Sequence, residues 1–291
     1  MSPFDRQRTE CRLWTFVLFL LFGLVACSEP PPNPEMQAAA FDYGARAATW
    51  PRCPAQESAA HASPARTMQT PGGIRFKIVP PANYQPEIQH PLLVVFAPGG
   101  HSETEAERFY GLTRDATARG FILAFAADRP PTMETLLDLA QVPKMAASAW
   151  CINAHRLFAT GHSNGGLVTH AMGFLPETQG SMAAIAPSAA GIRDRDLKEF
   201  QCPVPTSALI FHGRKDTLFP DWGRGVAQWW AACNQCTLKP EPLAGGQCQQ
   251  FPACTSGVET IYCEDDWTHR TWPGAHDRML DFFERHARAG D

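Results

Sequence analysis

Two segments of the chain are apolar at every position, Leu92-Leu-Val-Val-Phe-Ala97 and Phe121-Ile-Leu-Ala-Phe-Ala126. Such runs suit parallel strands covered on both faces. Ile74-Arg-Phe-Lys-Ile78 instead alternates apolar and polar side chains, as a half-exposed strand does. Between the two runs, residues 103–118 predict a helix closed by Gly120; after the second run, residues 134–149 predict another. Leu157-Phe-Ala-Thr160 is a short strand running into a glycine turn, followed by a helix over Gly166–Phe174. Further strands are expected at 182–186, 207–211 and 258–262, with helices at 225–232 and 276–287. Met279, Leu280, Phe282 and Phe283 give the last helix an apolar face. Strands alternating with helices predict an α/β fold, with a mostly parallel central sheet and helices on both faces.

The first residues differ from this pattern. Arg6, Arg8 and Arg12 precede an apolar run from Leu13 to Ala26. At about 14 residues the run is short for a membrane span, which needs about 20. A basic start, a short apolar run and small residues at its end describe a secretory signal peptide. The run ends Leu24-Val25-Ala26-Cys27, which is similar to the lipobox of bacterial lipoproteins. That similarity implies removal of residues 1–26, acylation of Cys27 and anchoring in a membrane. Two or three acyl chains suffice for such an anchor, at about 0.8 kcal/mol per buried methylene. Ser28 after the cysteine points to the outer membrane, on the periplasmic or cell-surface side. Residues 27–50, rich in Pro and Ala, read as a tether, and residues 51–291 as the folded domain.

Cysteine usage agrees with export. Apart from Cys11 and Cys27, eight cysteines remain: Cys53, Cys151, Cys202, Cys233, Cys236, Cys248, Cys254 and Cys263. An even set in an exported chain predicts up to four disulfides, with 105 possible connectivities. The rival is a zinc site at Cys233-Asn-Gln-Cys236, a spacing that Cys248 and Cys254 do not repeat. A net charge of -4 without a basic block argues against nucleic acid as a partner. Oligomeric state is not legible.

The chemistry centres on Gly161-His162-Ser163-Asn164-Gly165. A serine hydroxyl is a weak nucleophile until a base takes its proton and its oxygen stands clear of the backbone. A sharp strand-to-helix turn provides the clearance, and small residues two before and two after the serine permit it. The amide of Asn164, at the helix start, is then a donor for an oxyanion. A second donor is expected from Pro98-Gly99-Gly100-His101 after Leu92–Ala97, with Gly100 as the assigned amide. The acid and base should follow in chain order, each after a strand. Asp216, after Ser207–Phe211, is the expected acid, with Asp221 the weaker choice. His269, after Val258–Tyr262, is the expected base, with His276 the runner-up.

Four ordered segments carry a family resemblance: Ile74–Tyr84, Ala159–Gly166, Ile210–Asp216 and His269–Gly274. Together they resemble the extracellular polyhydroxybutyrate depolymerase and feruloyl or acetylxylan esterase group, carbohydrate esterase family one. The resemblance spans about residues 50–288. It implies a secreted α/β-hydrolase fold that cleaves carboxylic esters without metal or organic cofactor, with Ser163 as nucleophile, Asp216 as acid and His269 as base. Three departures stand out. Pro98-Gly99-Gly100 replaces the His-Gly that members often carry. His269 lies three residues before Trp272 rather than two, which implies a one-residue insertion. The stretch between Asp128 and Trp150 is short for a substrate cover.

Cys151 and Cys202 both precede strands at one end of the sheet, so a bridge between them is expected. The five cysteines from Cys233 to Cys263 should brace the loops that deliver His269. Trp229, Trp230 and Trp272 are either aromatic walls for an acyl group, a sugar or a polyester chain, or packing groups. With no appended substrate-binding domain, a small or soluble ester is the expected substrate. Feruloyl or acetyl esters of polysaccharide fit best, ahead of polyester oligomers. A non-catalytic surface binding protein and a peptidase with the same triad are the alternatives.

Overall fold

The computed structural model describes residues 33–54, 65–255 and 257–287. The expected signal peptide and Cys27 lie outside the described residues. Ten strands among these residues form one sheet: β1 (Arg66–Gln69), β2 (Arg75–Val79), β3 (His90–Phe96), β4 (Ile122–Ala126), β5 (Ile152–His162), β6 (Ala184–Ser188), β7 (Ser207–Gly213), β8 (Glu241–Pro242), β9 (Cys248–Phe251) and β10 (Thr260–Asp265). Their spatial order is β1-β2-β4-β3-β5-β6-β7-β10-β9-β8. The six strands from β4 through β3, β5, β6 and β7 to β10 are parallel. Antiparallel pairs close both edges.

The all-apolar runs are strands whose two faces feed separate cores. Leu92, Val94 and Phe96 of β3 join a core that contains Trp150 and Trp230. Leu93 and Val95 join a second core with Phe125, Phe158, Phe282 and Phe283. A strand with no polar face is stable only because helices cover both sides. These helices are α1 (Glu103–Tyr110), α2 (Thr113–Ala118), α3 (Met133–Leu139), α4 (Val142–Ala147), α5 (Asn164–Phe174), α6 (Trp222–Cys233) and α7 (His276–Arg285).

Two expected helices are each two. The helix expected over 103–118 ends at Gly111, whose φ of 61° makes it a left-handed cap, and restarts at Thr113. The helix expected over 134–149 is interrupted before Pro143, which stands in the first turn of α4, where its missing N–H has no cost. Strands β1, β8 and β9 were not expected. They are short edge strands, and β8 and β9 lie in a Gly- and Gln-rich stretch with no apolar period.

The region expected to be tether is anchored to the domain at several points of its described length. Phe41 and Ala47 are buried, with Trp50 stacked on Phe41 at 4.9 Å. The Phe41 amide donates to Asn83 (2.7 Å), and the Tyr43 hydroxyl lies 3.3 Å from His90 Nε2. Aromatic burial, invisible in the Pro and Ala content, draws this segment onto the domain.

The disulfides are Cys53–Cys151, Cys202–Cys233, Cys236–Cys254 and Cys248–Cys263. The expected Cys151–Cys202 bridge is not formed. Cys151 instead fastens the segment before β1, and Cys202 meets the C-terminal end of α6. The two cysteines at zinc-like spacing, Cys233 and Cys236, belong to different bridges. Bridges over longer segments remove more freedom from the unfolded chain. Cys53–Cys151 encloses 98 residues and Cys248–Cys263 only 15. Replacing both cysteines of the first pair by serine should lower the unfolding free energy by about 2–4 kcal/mol. Urea unfolding should show this loss to exceed that of the Cys248→Ser/Cys263→Ser variant; the reverse order would refute the chain-entropy account.

Candidate active site

The parallel sheet brings four loops to the C-terminal ends of neighbouring strands. Ser163 follows β5, Asp216 follows β7, His269 follows β10, and Pro98–His101 follows β3. Ser163 has φ 57° and ψ -116°, a conformation in which a non-glycine residue is strained. The turn is tight enough that a Cβ on Gly161 would overlap the Gly165 carbonyl, and one on Gly165 would overlap the Phe96 carbonyl. These overlaps are the physical content of the two motif glycines. They let α5 start at Asn164, directly behind the serine, two residues earlier than its apolar pattern indicates.

The Asp216 and His269 loops are fastened to each other. The amides of Arg214 and Lys215 donate to the carbonyls of Asp265 (2.8 Å) and Trp267 (3.1 Å). Arg214 also pairs with Asp265 and Asp266, and Lys215 with Asp266. His269 lies within a turn from Thr268 to Thr271, closed by a 3.0 Å hydrogen bond from the Thr271 amide to the Thr268 carbonyl. That turn brings His269, three residues ahead of Trp272, to Ser163.

The three side chains form one hydrogen-bonded chain. Ser163 Oγ lies 2.9 Å from His269 Nε2, and His269 Nδ1 lies 2.8 Å from Asp216 Oδ2. The other Asp216 oxygen accepts from the amides of Leu218 and Phe219, both at 2.9 Å. Burial works to raise the Asp216 carboxyl, but the Phe219 amide, the His269 imidazole and the Leu218 amide hold it below the ordinary value. A buried carboxylate at Nδ1 fixes the tautomer that leaves Nε2 free to accept the serine proton. Asp221 is exposed at the start of α6. His276 faces Asp115 (2.8 Å) and the Tyr110 carbonyl (2.9 Å). Neither joins the chain.

Two positioning groups escaped the sequence reading. His162, inside the serine motif, has Nε2 2.6 Å from the His269 carbonyl and Nδ1 3.1 Å from Ser188 Oγ. A carbonyl can only accept, so Nε2 carries the proton and Nδ1 receives the Ser188 hydroxyl. Burial holds this imidazole neutral, with its pKa pushed down to about 4. His162 thereby ties the backbone of His269 to the turn that carries Ser163. Beneath it, the buried Tyr110 hydroxyl donates to the Phe96 carbonyl and accepts from the His162 amide, both at 2.7 Å. The signal for His162 was its place in the motif; Tyr110, about fifty residues upstream, left none.

The pocket over Ser163 has a volume of about 470 Å³ and is lined by Pro98, Gly99, His101, Phe109, His162, Ser163, His269 and Arg270. Gly100, the expected second donor, does not face it: its amide donates to Asp128 Oδ2 at 2.8 Å. Among the described residues, the Gly99 amide makes no intramolecular hydrogen bond, and Gly99 stands beside Asn164. Gly99 replaces Gly100 as the candidate donor. The tryptophans are packing groups. Trp230 is fully buried, Trp229 packs on the same core, and Trp272 meets Tyr110 edge-on at 4.8 Å. Phe109 is the pocket's aromatic wall.

No family model matches the sequence, and no curated protein is significantly similar to it. Solved structures do match. An acetyl xylan esterase from Aspergillus awamori aligns over 77% of this chain and 100% of its own, with TM-score 0.60 and 14% identity. A thermostable esterase aligns over 77% of this chain and 62% of its own, with TM-score 0.53 and 16% identity. The fluorophosphonate-binding serine hydrolase F of Staphylococcus aureus aligns over 76% and 99%, with TM-score 0.51 and 11% identity. This is the α/β-hydrolase fold. In the hydrolase fold of this chain, every strand of the parallel block matches an expected one, with ends shifted by at most five residues.

Burial of neutral histidines makes this α/β-hydrolase fold acid-sensitive. His90 and His162 are pushed down to about 4 and His170 to about 3, each chiefly by burial. An unfolded histidine protonates near 6.5, so the unfolded state binds more protons between that value and the folded pKa. The stability these residues hold at neutral pH should therefore fall progressively from about pH 6.5 to about pH 4 for His90 and His162 and on to about pH 3 for His170. Urea midpoints measured across that range should decline, and His170→Gln should flatten the decline. A midpoint constant from pH 7 to pH 5 would contradict this assignment.

Proposed function

We propose that the protein is a serine hydrolase of carboxylic esters acting through an acyl-enzyme. The observation that carries this reading is the Ser163–His269–Asp216 chain, with its 2.9 and 2.8 Å bonds, at the floor of an open pocket. His269 Nε2 removes the Ser163 proton as Oγ attacks the ester carbonyl carbon. Asp216 stabilises the imidazolium without taking its proton. Negative charge on the former carbonyl oxygen is met by the amides of Asn164 and Gly99, the first at the N-terminus of α5. Collapse breaks the bond to the alcohol oxygen, which leaves with the proton from His269. Water, deprotonated by the same imidazole, then attacks the acyl carbon, and Ser163 departs with its proton restored.

Substrate class rests on the family resemblance and on the pocket. Pro98 and Phe109 offer an apolar wall, and the pocket is open, as a feruloyl or acetyl ester of a polysaccharide requires. We further propose export and lipid attachment at Cys27, which would hold the enzyme at a membrane outside the cytoplasm. Four disulfides support an oxidising compartment.

A fluorophosphonate probe should label Ser163, mapped by peptide mass, and methyl ferulate and aryl acetates should be hydrolysed in preference to peptide amides. Ser163→Ala or His269→Ala should lower kcat by on the order of 10⁴–10⁶-fold, and Asp216→Asn by about 10⁴-fold. Unchanged ester turnover by Ser163→Ala would overturn the mechanism, and amide turnover above ester turnover would make the enzyme a peptidase. A mass shift on Cys27 after detergent extraction would report acylation; an unmodified Cys27 in the mature chain would refute it.

A further inference from the structure

The loop after β3 is held by one residue that no motif reading selects. Asp128 lies just beyond β4, the neighbour of β3 in the sheet. Its backbone amide donates to the His101 carbonyl at 2.9 Å. One carboxylate oxygen accepts from the Gly100 amide at 2.8 Å, and the other accepts from Asn164 Nδ2 at 3.3 Å. The His101 amide closes a turn on the Pro98 carbonyl at 3.1 Å, and Gly100 has φ 79°. A proline-led turn with positive φ at its third residue is of type II, in which the central Gly99–Gly100 peptide has one of two orientations. Only the orientation that points the Gly100 N–H at Asp128 is compatible with that hydrogen bond.

Two successive glycines give this loop little intrinsic preference for any one shape. Neither glycine has a side chain with which to anchor itself; His101 restrains the loop from within, through its amide on the Pro98 carbonyl and its Nδ1 3.2 Å from the Gly99 carbonyl, and the direction of the Gly100 amide is fixed from outside. Asp128 supplies that outside restraint from two directions. Its amide and carboxylate grip the loop, and its second oxygen holds the side chain of Asn164, whose amide is the first oxyanion donor. The close approach of Gly99 to Asn164 follows: a Cβ on Gly99 would lie 3.1 Å from Asn164 Nδ2.

We propose that Asp128 is a positioning residue that presets the separation and direction of the Gly99 and Asn164 amides. The proposal rests on the reading of Ser163 as an ester-cleaving nucleophile. An oxyanion site acts through donors that need no reorganisation when charge develops, so a loose Gly99 amide would cost transition-state binding rather than substrate binding. The negative charge of Asp128 would by itself oppose an oxyanion nearby. Its function in this position is acceptance of hydrogen bonds, and an amide can take over that function. Asparagine at 128 can accept from Gly100 through its oxygen, and a rotated Asn164 amide can accept from its nitrogen.

The test uses purified wild type, Ser163→Ala, Asp128→Ala and Asp128→Asn with an aryl acetate, together with inhibition by an aryl trifluoromethyl ketone, which forms a tetrahedral adduct on serine. Loss of a whole oxyanion donor typically costs about 100- to 1,000-fold in kcat, so loosening one should cost about 10- to 100-fold in Asp128→Ala. KM should stay within about threefold, and the ketone inhibition constant should rise by the same factor as kcat falls. Asp128→Asn should recover kcat to within about threefold of wild type. Wild-type kcat in Asp128→Ala, a loss confined to KM, an unaltered ketone constant or an Asp128→Asn as impaired as Asp128→Ala would each overturn the proposal. If Asp128→Ala does not fold, Asn164→Ala removes one of the two carboxylate contacts while keeping the amide, and a kcat equal to wild type in that variant overturns it as well. Activity that persists in Ser163→Ala refutes the esterase reading itself, a result distinct from any of these.

Discussion

The site depends on one close contact between backbones. Gly165, in the first turn of α5, sits so near the Phe96 carbonyl at the end of β3 that no side chain can stand between them. That approach sets how far the Ser163 turn can rise from the sheet, and it brings the helix N-terminus level with the loop after β3. The positive φ of Ser163 is the cost of the arrangement, held in place by the packing of β3, β5 and α5. Strain of this kind survives only where its surroundings admit no relaxed alternative. The all-apolar strands, buried on both faces, provide surroundings of that kind.

Polar groups buried around the turn carry its geometry outward. Tyr110 links the end of β3 to the backbone of His162, and His162 links the turn to the carbonyl of His269. Ser163 and His269 are thus connected twice, once through Ser163 Oγ and once through the neutral imidazole of His162. Such a network is worth forming only when each member is satisfied, since an unpaired buried donor is costly. The Asp216 carboxylate follows the same rule, with both oxygens engaged.

The parallel strands and the grouping of Ser163, Asp216 and His269 were legible because each rests on local signals: unbroken apolar runs, a glycine-flanked serine, an aspartate or histidine after a strand. Errors arose where geometry between distant segments decides. Gly100 and Gly99 are equal by sequence, and only the carboxylate of Asp128 distinguishes them. Cys151 and Cys202 share a strand-leading position, yet their partners depend on where the segment before β1 and the end of α6 arrive. Trp230 and Phe109 are both aromatic residues on helices; position relative to the sheet makes one a core group and the other a pocket wall. The helix over 103–118 was extended past Gly111 because its apolar period continues beyond the cap. Phe41 and Trp50 were hidden in a stretch whose proline and alanine content suggested a free tether.

The disulfides are unevenly distributed with respect to the chemistry. Three of the four lie between Cys202 and Cys263, the part of the chain that carries Asp216 and leads into His269, while the turn of Ser163 is shaped by packed atoms alone. The two arms of the relay therefore answer to different features of their surroundings. Covalent bracing thus falls on the strands and helix that lead to Asp216 and His269, and close backbone contact on the turn of Ser163.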